Sequence, residues 1–218
     1  MTQGGRVMIA DDHPLTREGL ALAARAAAPG AAIDQAGTIA EAEAAIELRG
    51  AGQYRLVLLD FMLPDSRGYS GFLQLQHRLG RVPIVMVSAK QEMKLVEAAR
   101  ALGASGFLYK SRALDDLAGA LREVIAGKPQ FPQDAGSSGL IETARARIAT
   151  LSGAQMKVLL AMADGRPNKQ IAGDLNLTEA TVKAHLTAIF RKLGVVNRTQ
   201  ALLALQPLFG DGGEGASA

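Results

Sequence analysis

Four short apolar runs punctuate the first half of the chain, and each ends on a polar residue. Val7-Met8-Ile9-Ala10 ends at Asp11-Asp12, Leu56-Val57-Leu58-Leu59 at Asp60, Ile84-Val85-Met86-Val87 at Ser88, and Gly106-Phe107-Leu108-Tyr109 at Lys110. Unbroken runs of this length predict strands buried on both faces, as in a parallel sheet. A weaker run over residues 31–36 supplies a fifth strand. Between the runs lie alanine-rich segments with helical spacing, near 15–28, 39–49, 70–79, 91–101 and 112–126. Thr38 and Ser111 stand where helix N-caps are expected. Five strand–helix units predict an α/β doubly wound sheet, parallel and five-stranded, with helices on both faces.

From Gly127 the pattern changes. Residues 127–139 hold two prolines, three glycines and no apolar periodicity, which reads as a flexible linker. Beyond it every segment is helical. Ser152 is expected to cap a helix carrying Met156, Leu159, Leu160 and Ala163, and Asn168 to cap Lys169–Leu175. Asn176-Leu177 then turns the chain, and Thr178 caps Glu179–Leu193. In that last helix Val182, Leu186, Ile189 and Leu193 form one apolar stripe. Opposite it lie Ala180, Ala184, Thr187 and Arg191, with Lys183 on one shoulder and His185 and Lys192 on the other. A short helix, a tight turn and a longer helix make the helix-turn-helix pattern. The expected organisation is a sheet domain over residues 1–128, a linker over 129–147, a four-helix all-α domain over 148–209 and a disordered tail over 210–218.

Composition narrows the chemistry. There is no cysteine, which removes disulfides, thiolate metal sites and cysteine nucleophiles together. No apolar run approaches the roughly 20 residues of a membrane span, and the N-terminus lacks a secretory pattern, so a cytoplasmic protein with no membrane partner is expected. The net charge of +3 is unevenly spread. Residues 1–128 carry 15 Lys and Arg against 14 Asp and Glu. Residues 150–210 carry 7 (Lys157, Arg166, Lys169, Lys183, Arg191, Lys192, Arg198) against 3 (Asp164, Asp174, Glu179). A small basic domain beside a neutral one suits a polyanion partner.

In an open parallel sheet, ligands bind beyond the carboxyl ends of the strands. Asp11, Asp12, Asp60, Ser88 and Lys110 all fall there. Singly, such residues start loops or cap helices. Together, three carboxylates suit a hard divalent cation such as Mg²⁺, and a hydroxyl and an ammonium opposite them suit phosphoryl oxygens. The set reads as Mg²⁺-assisted phosphoryl transfer to a carboxylate. His13-Pro14, by contrast, reads as the extended start of the first helix, and Pro64 and Gly68 as shapers of the loop after Asp60. A face of small residues flanked by cations can enter a DNA major groove, where it meets bases in the middle and phosphates on both sides.

Asp11-Asp12-His13-Pro14, Asp60-x-x-Leu63-Pro64-x-x-x-Gly68, Ser88-Ala89 and Gly106-Phe107-Leu108-Tyr109-Lys110 resemble the flavodoxin-like receiver domain of two-component response regulators, over residues 6–126. The resemblance implies that Asp60 is the phospho-acceptor. It implies that Asp12, Asp60 and the Met62 backbone carbonyl ligate Mg²⁺, with Asp11 reaching it through water. It makes Lys110 the partner of the phosphoryl group and Ser88 and Phe107 the switch residues.

Leu151-Ser152, Gly165-Arg166-Pro167-Asn168-Lys169-Gln170-Ile171-Ala172, Leu177-Thr178-x-x-Thr181-Val182-Lys183-x-His185, Lys192-Leu193-Gly194-Val195 and Arg198-Thr199-Gln200-Ala201 resemble the LuxR-type DNA-binding domain. With a receiver, that places the chain in the NarL/FixJ response-regulator family. The implied partners are a sensor histidine kinase, double-stranded promoter DNA and, once phosphorylated, a second copy of the chain. Lys183, Ala184 and Thr187 would face bases, and Lys169, Thr181, His185 and Arg198 would lie near phosphates. One departure stands out: Ala154-Gln155 replaces the family's Arg-Glu pair, whose acidic member ties the first helix to basic residues elsewhere. Two other readings are a LuxR-type regulator that works without phosphate and a Mg²⁺-dependent aspartyl-phosphate phosphohydrolase. The latter needs a second carboxylate about two residues after its nucleophile, where this chain has Met62. The expectation is a regulator, not an enzyme, that assists only its own phosphorylation and dephosphorylation.

Overall fold

The computed structural model describes residues 5–132 and 146–209, with the backbone alone at residues 203 and 206–209. The chain divides into two compact units, one before and one after the connecting segment. The expected tail over 210–218 and the linker residues 133–145 lie outside the described residues.

The first unit alternates strands and helices: β1 (Arg6–Ala10), α1 (Pro14–Ala27), β2 (Ala32–Ala36), α2 (Ile39–Arg49), β3 (Tyr54–Asp60), α3 (Ser70–Leu79), β4 (Ile84–Ser88), α4 (Met93–Leu102), β5 (Gly106–Tyr109) and α5 (Leu114–Ile125). All pairings are parallel, in the order β2-β1-β3-β4-β5. Both faces of the central strands are covered, which is why their sequences read as continuous apolar runs. Val7, Ile9, Leu56, Leu58, Val85, Val87 and Leu108 pack with Leu20 of α1 and Leu117 and Leu121 of α5. Met8, Val57, Leu59, Met86 and Phe107 are equally buried. The register pairs Ala10 with Leu59, Asp60 with Val87, and Ser88 with Tyr109, so the polar residues that end the runs share one rim.

Local signals were uneven guides to the helix starts. Thr38 caps α2 as expected, its side chain accepting from the Glu41 N–H at 3.1 Å. Ser111 caps nothing: α5 starts after Ala113, and Ser111 pairs with the Gln91 amide at 3.2 Å. The exit from this unit also corrects the linker boundary. Gln130 pairs with Gly106 at the edge of β5, its carbonyl accepting from Phe107 N–H at 2.8 Å and its N–H donating to Ser105 at 3.1 Å. Two backbone hydrogen bonds therefore hold a stretch that composition assigns to a free linker.

At the opposite end of the sheet, Asp34 accepts from Arg6 Nε and Nη2, each at 2.6 Å, and from the Tyr54 hydroxyl at 2.7 Å. The hydrogen bonds from Arg6 hold the Asp34 carboxyl below its usual range, against the opposing effect of burial. Burial and the bond to Asp34 push the Tyr54 hydroxyl up to about 12. A carboxyl lowered in the folded state stabilises the fold above its unfolded pKa of about 3.9 and loses that contribution as pH falls through the folded pKa. Asp34→Asn should therefore cost about 0.5–1 kcal/mol at pH 7, the range for an ion pair still touched by water. The gap to wild type should close on acidification, as read by urea unfolding across a pH series.

The second unit holds α6 (Gly153–Ala163), α7 (Asn168–Asp174), α8 (Glu179–Leu193) and α9 (Arg198–Phe209). Ser152 and Gln155 close a reciprocal capping box at the start of α6. Asn168 is the first helical residue of α7 rather than its cap; Pro167 takes the cap position, and no side chain caps there. Pro167 sets an extended entry and leaves its neighbour inside the helix. Asn176 turns the chain with a left-handed φ of 53°, a conformation that asparagine tolerates better than most residues. Thr178 caps α8 by accepting from Thr181 N–H at 3.1 Å. Val182, Leu186, Ile189 and Leu193 are all buried, so the predicted stripe is the inner face of α8. Among the described residues, 146–148 are helical, and Ile148 is buried.

Candidate functional site

The strand rim gathers the predicted acidic set around one ammonium. Lys110 Nζ lies 2.7 Å from Asp60 Oδ2 and 2.7 Å from Asp11 Oδ2. Asp11 is fully buried, and its other oxygen accepts from His13 N–H at 2.8 Å. Asp60 is buried, and its Oδ1 accepts from Met62 N–H at 3.2 Å. Asp12 points outward, a third exposed, with His13 Nδ1 2.6 Å from its Oδ1. Ligand atoms of Asp11, Asp12, His13 and Asp60 all lie within 4.8 Å of one another.

His13 is the member that sequence reasoning missed. Pro14 explained the local backbone, and the imidazole beside two aspartates was the only available signal.

Burial raises the Asp60 carboxyl above its usual range; the Lys110 ammonium and the Met62 N–H pull it down, and the Asp11 charge adds to the rise. For Lys110, burial lowers the pKa, but the pairs with Asp11 and Asp60 outweigh it and leave the ammonium more firmly protonated than usual. Burial wins at Asp60 because one cation is shared between two carboxylates. Three carboxyl groups gather beside that single cation, so the rim is rich in acidic oxygens. A hard divalent cation matches this set in charge and in ligand type. The residues present therefore fit Mg²⁺.

Ser88 is buried, and its hydroxyl accepts from Lys90 N–H at 3.0 Å. The Ser88 carbonyl accepts from Lys110 N–H at 2.9 Å, so the hydroxyl and the ammonium come from adjacent, mutually bonded strand ends. Phe107 is fully buried and meets Tyr109 edge to face at 5.8 Å.

In the helical unit, Lys183, Ala184 and Thr187 are exposed on the outer face of α8, with Ala180 and Arg191. Thr187 donates to the Lys183 carbonyl at 3.0 Å. Thr181 and His185 are half-buried on the flanks, and Lys169 is exposed in the first turn of α7. Among the described residues, Lys169, Lys183 and Arg191 make no ion pair.

Two other cations are committed elsewhere. Arg198 Nη2 donates to the carbonyls of Met162 and Arg166, each at 2.9 Å, fastening α9 to the end of α6. Both bonds use one nitrogen, Nη2, and the Arg198 side chain is half-buried. Lys192 Nζ donates to the Thr150 carbonyl at 2.6 Å and to Gln155 Oε1 at 2.8 Å. The Gln155 amide thus ties Lys192 to the start of α6. No helix among the described residues is long and apolar enough to cross a membrane.

Known proteins share both units. The family described as response regulator receiver domain matches residues 7–122, and bacterial regulatory proteins of the luxR family match residues 149–205. The glycerol metabolism activator of Pseudomonas putida is 34% identical over 215 residues, which cover 91% of this chain and 94% of that protein. The nitrate/nitrite response regulator protein NarL of Escherichia coli K12 is 30% identical over 204 residues, covering 89% and 92%. Among solved structures, RcsB from Salmonella enterica serovar Typhimurium, bound to a promoter, aligns at a TM-score of 0.52 and 23% identity over 94% of this chain and 98% of that one, a likeness of fold. An acidic rim around Lys110 in the first unit and a helix-turn-helix in the second match these two families in chain order, and the protein belongs to the two-component response regulators that carry a LuxR-type DNA-binding domain.

Proposed function

We propose that Asp60 accepts a phosphoryl group from a sensor histidine kinase, and that this event controls the binding of the helical unit to promoter DNA. The observation that carries the proposal is the buried Asp60 carboxylate hydrogen-bonded to Lys110, with Asp11 and Asp12 beside it. A carboxylate oxygen of Asp60 forms the new bond to phosphorus as the phosphorus–nitrogen bond of the donor's phosphohistidine breaks, and the released imidazole takes up a proton. Lys110 moves its hydrogen bond from the carboxylate to a phosphoryl oxygen, and Ser88 supplies a hydroxyl to another. Asp12, Asp60 and the Met62 carbonyl would hold Mg²⁺, with Asp11 reaching it through water, and the bound ion would supply positive charge against the transferring group. Phe107, packed beneath this rim, carries the change to the surface. These steps modify the chain itself, so it acts as a regulator rather than an enzyme on another substrate.

On the helical unit, Lys183, Ala184 and Thr187 face bases, while Lys169, Thr181 and His185 meet phosphates. Arg198 supports them by holding α9 to the turn before α7. A second copy joins on DNA once the receiver is phosphorylated, and the protein works in the cytoplasm, where kinase and promoter are both within reach.

Genome-wide mapping of bound sites, with the wild-type chain and Asp60→Ala under the inducing signal, tests this reading. Promoter occupancy should collapse in the variant. Equal occupancy would favour a regulator that works without phosphate.

A further inference from the structure

The first residues leaving the receiver are held on its switch edge. β5 is an edge strand, and the chain returns to it after α5 to lay Gln130 beside Gly106. The bond from Phe107 N–H to the Gln130 carbonyl, 2.8 Å, engages the backbone of the switch aromatic itself. The approach is close enough to require glycine on the strand: a Cβ at Gly106 would sit 2.7 Å from the Gln130 oxygen, while its other neighbours stand at an ordinary 3.5 Å. One residue on, the Phe131 ring lies under the Arg100 guanidinium of α4, 4.6 Å from carbon to ring centroid. The exit segment therefore grips β5 and α4 together.

From this geometry we infer that residues 130–131 form a clasp on the β5–α4 edge that phosphorylation of Asp60 loosens, freeing the chain that leads to the helical unit. The inference rests on Asp60 being the phospho-acceptor. Ser88 and Lys110 are bonded to one another across β4 and β5, so drawing both toward a phosphoryl group shifts the end of β5. The clasp fits the arrangement in which Lys110 pairs with Asp11 and Asp60, and a displaced Phe107 N–H no longer meets Gln130. Coupling of this kind is reciprocal: whatever opens the clasp must favour the phosphorylated arrangement by the same factor.

The full-length chain, titrated with beryllofluoride and Mg²⁺ as the phosphoryl mimic, provides the test. Gly106→Ala drives a methyl into the Gln130 carbonyl and should raise the affinity for the mimic about fivefold, the equivalent of one lost hydrogen bond. Phe131→Ala leaves β5 intact, so it reports even if Gly106→Ala folds poorly; it should raise the affinity about threefold, within the scale of a single cation–π contact. In the wild-type chain, the mimic should speed hydrogen exchange at the Phe107 and Gln130 amides by at least about fivefold. Affinities unchanged or lowered in both variants, or exchange unaltered at both amides, would overturn the clasp and leave the receiver reading standing. Failure of the wild-type chain to bind the mimic at all would overturn that reading and the clasp with it.

Discussion

Asp60→Asn should abolish the acid-labile phosphoryl group that a small phosphodonor with Mg²⁺ adds to the wild-type chain, leaving only background in an intact-mass measurement. The amide keeps the shape of the side chain and loses the anionic oxygen that must attack phosphorus. The loss should be complete because the neighbouring carboxylates cannot substitute: Asp11 is fully buried against Lys110 and the His13 N–H, and Asp12 lies at the outer edge beside His13. Stability should move the other way. Burial raises the Asp60 carboxyl above its usual range, so its stabilising contribution is present only below the unfolded pKa of about 3.9 and is lost as pH rises through the folded value. At neutral pH the ionised side chain is therefore a cost to the fold, and the neutral Asn should melt no lower than wild type. Undiminished labelling of a well-folded Asp60→Asn chain would remove Asp60 from its role.

Lys183→Ala should narrow the gap between specific and random DNA, whereas Lys169→Ala should weaken both together. Lys183 stands exposed beside Ala184 and Thr187 on α8, whose opposite face is sealed into the unit by Val182, Leu186, Ile189 and Leu193. Small neighbours let the helix approach closely, so the ammonium can reach a guanine edge, where one lost contact costs about 1–3 kcal/mol of discrimination. Lys169 lies in the first turn of α7, and its proposed partner is the sugar–phosphate backbone, which carries no sequence information. Its removal should reduce the slope of log affinity against log salt by about one unit. Binding to both DNAs across a salt series separates the two cases. An equal fall on both DNAs for Lys183→Ala would refute its base-reading role.

What could be read directly was whatever depends on near neighbours in sequence or on one repeating period. The strands declared themselves because a strand covered on both faces has no polar side to interrupt its apolar run. The acidic rim followed because a parallel fold brings all its strand ends to one side, which makes Asp11, Asp60, Ser88 and Lys110 neighbours by topology alone. Thr38, Ser152 and Thr178 were legible because a cap reaches only three residues ahead. The α8 stripe was legible because its helical period survives in the sequence.

The remaining features needed the folded chain. Whether a polar side chain is free or spent depends on partners far away in sequence. Arg198 finds carbonyls 36 and 32 residues back, and Lys192 finds Gln155 37 residues back. Ser111 and Asn168 had the right residue types for caps, yet Gln91 drew one away and Pro167 displaced the other. Gln130 and Phe131 sit in a stretch whose composition says linker, but an edge strand offers unpaired backbone groups to any segment that passes close by. The sequence alone thus determined the strand and helix order and the chemistry of the rim, because local period and parallel topology require nothing further. The tertiary structure decided which cations are tied to distant parts of the helical unit and where the receiver's edge holds the departing chain, because those outcomes turn on contacts between residues that no short-range pattern relates.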